Sequence, residues 1–396
     1  MSALPKKSSW KMVKFGDVVK NANLVERDPV ANGIDRIVGL EHIDPENLHI
    51  RRWNSPEDGT SFSRKFVPGQ TLFGKRRAYQ RKVAFAVFEG ICSGDILTFE
   101  SKDKSVLMPE LLPFICQSDA FFDYALGTSA GSLSPRTSWT ALKNFEFLLP
   151  PLEEQKRIAE ILWAADDTIE LFVETCSACE SMQESLIDDL IAQNKSPLSF
   201  TALGKVVHGK PQYGANAPAC EFKDNGLRYI RITDINSNGL LKQEDKVGVS
   251  LSNDEAEKYL LTPGDVLFAR TGNTVGKVYL HSEQNERCVY AGYLVRFKPD
   301  TKMILPDYLF LFTRSNYYKK WIDNTVRVGA QPNINGQEYS TLLILLPSID
   351  LQKQLIDKSK KIESVKGEVL RHISIVRKIS IAIMDGDEHL EGVSHV

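Results

Sequence analysis

The sequence contains no apolar run near the ~20 residues needed to cross a bilayer, which excludes a hydrophobic membrane helix. The start, Met1-Ser2-Ala3-Leu4-Pro5-Lys6-Lys7, lacks the hydrophobic core of a signal peptide, so a cytoplasmic protein is expected. Cysteine is sparse: six residues, Cys92, Cys116, Cys176, Cys179, Cys220 and Cys288, lie scattered, which suits a reducing compartment and excludes a disulfide scaffold. Neither sign of charge prevails. With 49 basic and 51 acidic residues the net charge is −2, so nucleic acid could be held only by local basic patches. Low-complexity sequence is absent apart from the tail at 386–396.

Catalytic motifs are missing as well. The Asp/Asn-Pro-Pro-Tyr/Phe motif of exocyclic-amine methyltransferases does not occur: Pro150-Pro151 stands between Leu149 and Leu152, and Asp28-Pro29-Val30 and Asp44-Pro45-Glu46 do not fit. Gly272-Asn273-Thr274-Val275-Gly276-Lys277 resembles a phosphate loop but is one residue short, and Val278 stands where Ser or Thr is required. Its β-forming flanks make it a hairpin turn. Glu154-Gln155-Lys156 has no acidic pair upstream to complete a PD…ExK nuclease, and no zincin motif or nucleophile elbow occurs. His42, His49, His208 and His281 show no metal-ligand spacing, and Cys176-Ser177-Ala178-Cys179 has no second ligand pair. A chain without catalytic apparatus or a metal of its own is expected.

What is present is a repeated helix. After Pro150-Pro151-Leu152-Glu153-Glu154-Gln155 the chain runs without Pro or Gly to Asn194. Apolar residues recur there at alternating steps of four and three: Ile158, Leu162, Ala165, Ile169, Phe172, Cys176, Cys179, Leu186 and Leu190, with Gln183 as the polar interruption. Residues 347–385 repeat the design from Pro347-Ser348-Ile349-Asp350-Leu351-Gln352, with a seam of Leu351, Leu355, Lys358, Ile362, Val365, Val369, His372, Val376, Ile379 and Ile383. Pro347 follows Pro150, and Gln352 follows Gln155, at one offset of 197 (347 − 150 and 352 − 155). Both helices open as helices should, with proline just outside and acidic residues in the first turn.

The stretches before the two helices also correspond. Phe66–Phe73 is a turn feeding a strand, answered by Pro263–Phe268; strands are expected over Ile34–Ile43, Val83–Phe88 and Ile96–Phe99, and over Tyr229–Ile235 and Tyr293–Phe297. Leu111–Tyr124 and Leu309–Trp321 read as buried helices, and the polar loop Gly127–Arg136 matches 329–335. The domain plan is therefore 1–149, a helix over 150–195, a second domain over 196–346, a helix over 347–385 and a tail at 386–396.

This doubled layout, with Leu-Pro-Pro-Leu-Glu-Glu-Gln-Lys-Arg-Ile-Ala at 149–159, resembles the specificity subunit of Type I restriction–modification systems over essentially the whole chain. The second copy departs from the pattern with Ser348 and Asp350-Leu351. The resemblance implies an α+β fold of two tandem α/β target recognition domains separated by two long antiparallel helices in a coiled coil, a pseudo-twofold internal repeat. It further implies that each domain reads one half of a bipartite DNA site. The helices would space the domains and dock two methyltransferase subunits, with restriction subunits joining through the assembly. S-adenosylmethionine, ATP and magnesium would belong to those partners.

Basic polar loops supply the DNA-binding candidates. Lys75, Arg76, Arg77, Arg81 and Lys82, with Tyr79, fall within eight positions after a strand, and Arg270, Asn273 and Lys277 lie at the corresponding place. Arg can fork onto guanine, Asn or Gln onto adenine, while Lys and Arg hold phosphates. A charge run of this kind also fits a solvated hairpin. Gln331, Asn333 and Asn335 suit either base contacts or loop closure, and Ser132, Ser134 and Arg136 are further candidates. For the helices, antiparallel pairing with Phe172 opposite Val369 sets Ile169 on His372, Ala165 on Val376, Leu162 on Ile379, Leu186 on Leu355 and Gln183 on Lys358. Ile158 extends the same seam. Two rival readings are a coiled-coil scaffold with protein-binding α/β domains, and a nuclease or methyltransferase with a diverged site.

Overall fold

Each half of the chain builds three sheets before entering a long helix. The computed structural model describes residues 9–193, 200–223, 226–236, 238–282, 286–326 and 332–385. It forms two units, Met1–Phe172 with Arg371–Val396, and Val173–Leu370. Among the described residues no helix is long and apolar enough to cross a membrane.

The strands of the first unit are β1 (Lys11–Lys14), β2 (Val19–Asn21), β3 (Leu24–Val25), β4 (Ile37–Val38), β5 (Arg64–Phe66), β6 (Thr71–Gly74), β7 (Val83–Phe85), β8 (Gly90–Cys92), β9 (Ile96–Ser101) and β10 (Glu146–Leu149). They order as β1-β10, β2-β9-β6-β7 and β3-β5-β8-β4, antiparallel except for the parallel pair β4/β8. Its helices are α1 (Phe15–Val18), α2 (Leu112–Gln117), α3 (Asp119–Gly127), α4 (Trp139–Leu142) and the first part of α5 (Leu152–Gln193).

The second unit repeats this with β11 (Phe200–Ala202), β12 (Gln212–Tyr213), β13 (Ala219–Glu221), β14 (Leu227–Ile230), β15 (Val247–Val249), β16 (Val266–Ala269), β17 (Val278–Leu280), β18 (Arg287–Tyr290), β19 (Leu294–Phe297) and β20 (Leu343–Leu345). The orders are β11-β20, β12-β19-β16-β17 and β13-β15-β14-β18, again with one parallel pair, β14/β18; the first two sheets repeat those of the first unit, whereas the third places β14 where the first unit has β8. Its helices are α6 (Asn253–Tyr259), α7 (Pro306–Phe312), α8 (Asn316–Thr325) and α9 (Gly336–Ser340), with the first part of α10 (Ile349–Asp385).

The long helices are built into the domain cores. Ile158, Ala159 and Leu162 of α5 and Ile383 of α10 join the buried cluster around Phe15, Phe73, Phe99 and Phe121. Ile187 of α5 and Leu355 and Ile356 of α10 join the cluster around Phe268, Phe297, Phe312 and Tyr339. Each fully buried aliphatic side chain contributes about 1.5–3 kcal/mol of transfer free energy, so tearing a helix from its domain is costly.

One side chain locks each helix start. Gln155 is fully buried; its Nε2 donates to Val106 O (2.8 Å) and Pro150 O (2.9 Å), and its Oε1 accepts from Met108 N (2.9 Å). Gln352 does the same at the offset of 197, donating to Met303 O (2.9 Å) and Pro347 O (3.0 Å) and accepting from Leu305 N (2.8 Å). The repeated glutamine is thus explained by three backbone groups that it alone satisfies.

Several sequence expectations are corrected. Leu111–Tyr124 and Leu309–Trp321 are each two helices. They break at Ser118 and Ser315, whose hydroxyls accept from Phe121 N (3.3 Å) and Tyr318 N (3.2 Å) as N-caps and donate to Ile115 O (2.8 Å) and Phe312 O (2.7 Å). Only Ile37–Val38 of Ile34–Ile43, and Leu227–Ile230 near Tyr229–Ile235, form strand. On α10, Lys358, Val365 and His372 are exposed, whereas Lys366 and Ile373 one residue along are buried. Hydrophobicity alone passes over Lys366, which is buried with its ammonium 2.6 Å from Glu180.

The helices run antiparallel within each unit, in a register different from the expected one. Phe172, not Ile169, stacks on His372, with ring centroids 5.9 Å apart. Gln183 does not meet Lys358. Its Nε2 donates to Ser359 O (3.3 Å) and Glu363 Oε2 (3.0 Å), and its Oε1 accepts from Arg314 (2.7 Å). Burial pushes the Glu363 carboxyl up, but the hydrogen bond from Gln183 and the Arg314 charge outweigh it and hold the carboxyl below its ordinary range. Cys179 is buried on this seam and Cys176 half-buried, both as free thiols.

Replacing Gln155 or Gln352 by Ala strands two acceptors and one donor at the helix start. Each variant is expected to lose about 2–5 kcal/mol of stability. Urea unfolding of the purified chain checks this, and a loss under 1 kcal/mol would refute the lock.

Candidate nucleic-acid interface

In each unit the loop leaving the central strand is fastened to a second loop distant in sequence. In the first unit β6 ends at Gly74, and Lys75 N donates to Asp95 O (2.9 Å). Thr137 N donates to Lys75 O (3.0 Å), and Arg77 N to Pro135 O (2.8 Å), while Arg76 and Arg136 form a β-bridge. In the second unit β16 ends at Ala269, and Arg270 N donates to Tyr293 O (3.0 Å). Ile334 N donates to Arg270 O (2.9 Å), and Gly272 N to Pro332 O (2.9 Å), while Thr271 and Asn333 form the bridge. The match equates Lys75 with Arg270, Arg76 with Thr271, Arg77 with Gly272 and Arg136 with Asn333. The two polar loops that the sequence left separate are therefore one surface in each domain.

The side chains on this shared backbone differ. In the first unit Asp95 is the hub: Arg76 lies 3.4 Å from it and Arg136 3.2 Å, and Arg76 Nε also donates to Ser134 Oγ (2.7 Å). Lys75 and Arg64 stand in the same field. Burial first, and the Arg64 charge next, hold the Lys75 ammonium below its ordinary value of 10.5; Asp95 opposes this and Arg136 adds to it. Arg76, Arg136 and Lys75 against the single Asp95 carboxylate leave a local excess of positive charge; Arg64 is tied to Ile96 O. In the second unit Arg270 lies over the Tyr213 ring, 4.9 Å from its centroid, with Nε 3.4 Å from Asn333 Oδ1. Asn273 and Tyr293 are exposed beside it.

Four candidates are structural instead. Arg81 donates to Gln117 O (2.8 Å), pairs with Asp119 (2.8 Å) and Glu46 (3.5 Å), and lies over Phe122. Lys82 donates to Leu40 O (2.6 Å), and Lys277 equivalently to Ile235 O (3.2 Å). Asn335 caps α9, its Oδ1 accepting from Glu338 N (2.9 Å), as Ser138 caps α4 with Ala141 N (3.2 Å). These side chains close the domain and are turned from the role the sequence suggested. Arg77 and Tyr79 project into solvent, and Gln331 lies outside the described residues. Sequence reasoning missed Arg64, Asp95 and Tyr213. Asp95 carried no signal, being a lone acid in a turn.

Two copies of one family model, the Type I restriction modification DNA specificity domain, match residues 7–174 and 204–373. The chain is 24% identical over 414 residues to the Type I restriction enzyme MjaVIII specificity subunit of Methanocaldococcus jannaschii, covering 92% of this chain and 88% of that one. It is 33% identical over 142 residues to the EcoDI specificity subunit of Escherichia coli, covering 33% and 30%. Among solved structures, it resembles a chain from work on complex assembly and conformational transition of the type I R-M system (TM-score 0.56, 19% identity, 99% and 100% covered). It also resembles the Type-I restriction-modification system S subunit from M. genitalium (TM-score 0.53, 12% identity, 95% of each chain covered).

The depressed Lys75 value means that folding disfavours the charged ammonium. That cost is present below the folded-state value and fades as pH rises towards 10.5. Lys75→Met should therefore be more stable than the parent at pH 7, and the difference should vanish as the pH approaches about 10.5. Denaturant titrations across that range test it; a variant less stable at neutral pH would contradict the assignment.

Proposed function

The chain belongs to the Type I restriction modification DNA specificity family, and on that premise we propose how its two domains and their partners divide the work. It is a specificity subunit, with a DNA sequence-specificity role in a Type I restriction–modification system. The loop pair after β6 and β16 is the DNA-reading surface of each domain. The observation that carries this reading is the repeat itself. One fastened backbone, used twice, presents a cation cluster on Asp95 in one copy and Arg270 with Asn333 and Tyr213 in the other. Two different side-chain sets on one frame fit an asymmetric bipartite site, one half per domain.

The subunit itself is non-catalytic and acts in the cytoplasm. It directs adenine methylation by two methyltransferase subunits and restriction by nuclease/translocase subunits. S-adenosylmethionine, ATP and magnesium sit on those partners. A net charge of −2 suits a reader that grips DNA firmly only within the assembly, where the partners' cations add to counterion release.

In the assembled methyltransferase, Arg76→Gln with Arg136→Gln should weaken binding to duplex DNA and lower the salt slope by about two, one per lost phosphate contact. An unchanged affinity and slope would remove this loop pair from the interface. Grafting a relative's domain over residues 1–149 should change one half of the methylated motif and leave the other as it was. Joint change of both halves would refute independent readout.

A further inference from the structure

The internal repeat contains a control for one residue. The loops 77–82 and 272–277 have the same length, and each has two residues in the left-handed region: Arg77 (φ 54) and Arg81 (φ 50) in the first, Gly272 (φ 64) and Gly276 (φ 87) in the second. That conformation is natural to glycine and strained for a side chain with a Cβ. The second domain shows what this backbone prefers. The first places arginine at both positions.

Arg81 is explained by its surroundings: a carbonyl, two carboxylates and the Phe122 ring hold its guanidinium. Arg77 has no such return. Its backbone N–H is fixed to Pro135 O (2.8 Å), yet its side chain is exposed and, among the described residues, has no hydrogen-bond or ion-pair partner. Nor is the arginine required to fill space, because a Cβ built on Gly272 meets nothing within 4 Å. What is left is an anchored backbone in the left-handed region carrying a guanidinium with no partner among the described residues.

Resting on the reading of the loop pair as the DNA surface, we propose that Arg77 is a base-reading residue that forks onto a guanine in the half-site of the first domain. Cations suited to phosphate attraction already stand beside it in Lys75, Arg76 and Arg136. A phosphate contact also tolerates a flexible side chain on relaxed backbone, whereas a bidentate contact to a base edge needs a fixed origin and direction. The hydrogen bond to Pro135 and the left-handed conformation give Arg77 that fixed origin. The second domain, with Gly272 there, has no equivalent reader, so the two half-sites are read by different parts of the same frame.

The test uses the chain assembled with its methyltransferase subunits, Arg77→Gly and Arg77→Lys. The methylated motif is mapped by sequencing a host's DNA, and binding is measured on a duplex oligonucleotide carrying the parent's motif. Arg77→Gly should leave the thermal midpoint unchanged or raise it by about 2–4 °C, since glycine suits the backbone. It should weaken binding about 10–100-fold with the salt slope unchanged, and relax the motif at one G·C position of one half-site. Arg77→Lys, which keeps the charge but not the fork, should relax the same position. A uniform loss on all sequences with the slope lower by about one, restored by lysine, would make Arg77 a phosphate contact and overturn the proposal. So would an unchanged motif and affinity. If Arg76→Gln with Arg136→Gln also leaves DNA binding intact, the loop-pair reading itself falls; if that pair weakens binding and Arg77→Gly does not, only the assignment of Arg77 is lost.

Discussion

Three hydrogen bonds from one buried glutamine decide how each long helix leaves its domain. An α-helix cannot satisfy its first N–H groups, and the preceding chain carries carbonyls that water cannot reach once the domain is packed. Gln155 and Gln352 resolve the second of these, each bridging its helix start to a backbone segment 49 and 47 residues upstream. Everything beyond follows from that fixed direction. Ile158 and Leu162 enter the first core, Leu355 and Ile356 the second, and the antiparallel partner helix completes each cluster.

The same economy governs the proposed interface. Backbone hydrogen bonds to Lys75 and Arg270, and from Arg77 and Gly272 to proline carbonyls, are kept between the repeats. So are the caps at Ser138 and Asn335 and the lysine ties of Lys82 and Lys277. These positions carry the fold, and their side chains or main chains are consumed by it. The domains diverge at the positions between them, among them Arg77 against Gly272 and Arg76 against Thr271. A frame fastened by main-chain bonds lets side chains change without loss of loop geometry, which is the physical requirement for altering specificity on a constant fold.

Much of this was legible from the repeat. The offset of 197 located both helix starts, and the Pro-Gly turns located β6 and β16, because a missing N–H and a tight turn are local properties of single residues. The helix seam was legible only by halves. Leu355, Val369 and Ile383 were read correctly as buried, but Lys366 was not, since its partner Glu180 lies on the other helix. Ser118 and Ser315 share the helix offset and could have announced the two breaks; the surrounding apolar residues concealed them. Within the candidate site, residue type suggested a function that tertiary contacts revised. Arg81, Lys82, Lys277 and Asn335 look like DNA ligands in sequence and are hydrogen-bonded inside their domains.

That revision also explains why a chain of nearly balanced charge can contain a cationic surface. Of the five cations at 75–82, Arg81 and Lys82 are neutralised or tied internally, and Asp95 is shared by Arg76 and Arg136. What remains is Lys75, whose ammonium burial holds below its ordinary value, and Arg77, which is exposed. In the second unit Tyr213 and Asn333 hold Arg270 by cation–π and amide contacts, which orient the guanidinium without cancelling its charge. The two domains thus differ in a handful of side chains carried on corresponding loop-to-loop backbone bonds.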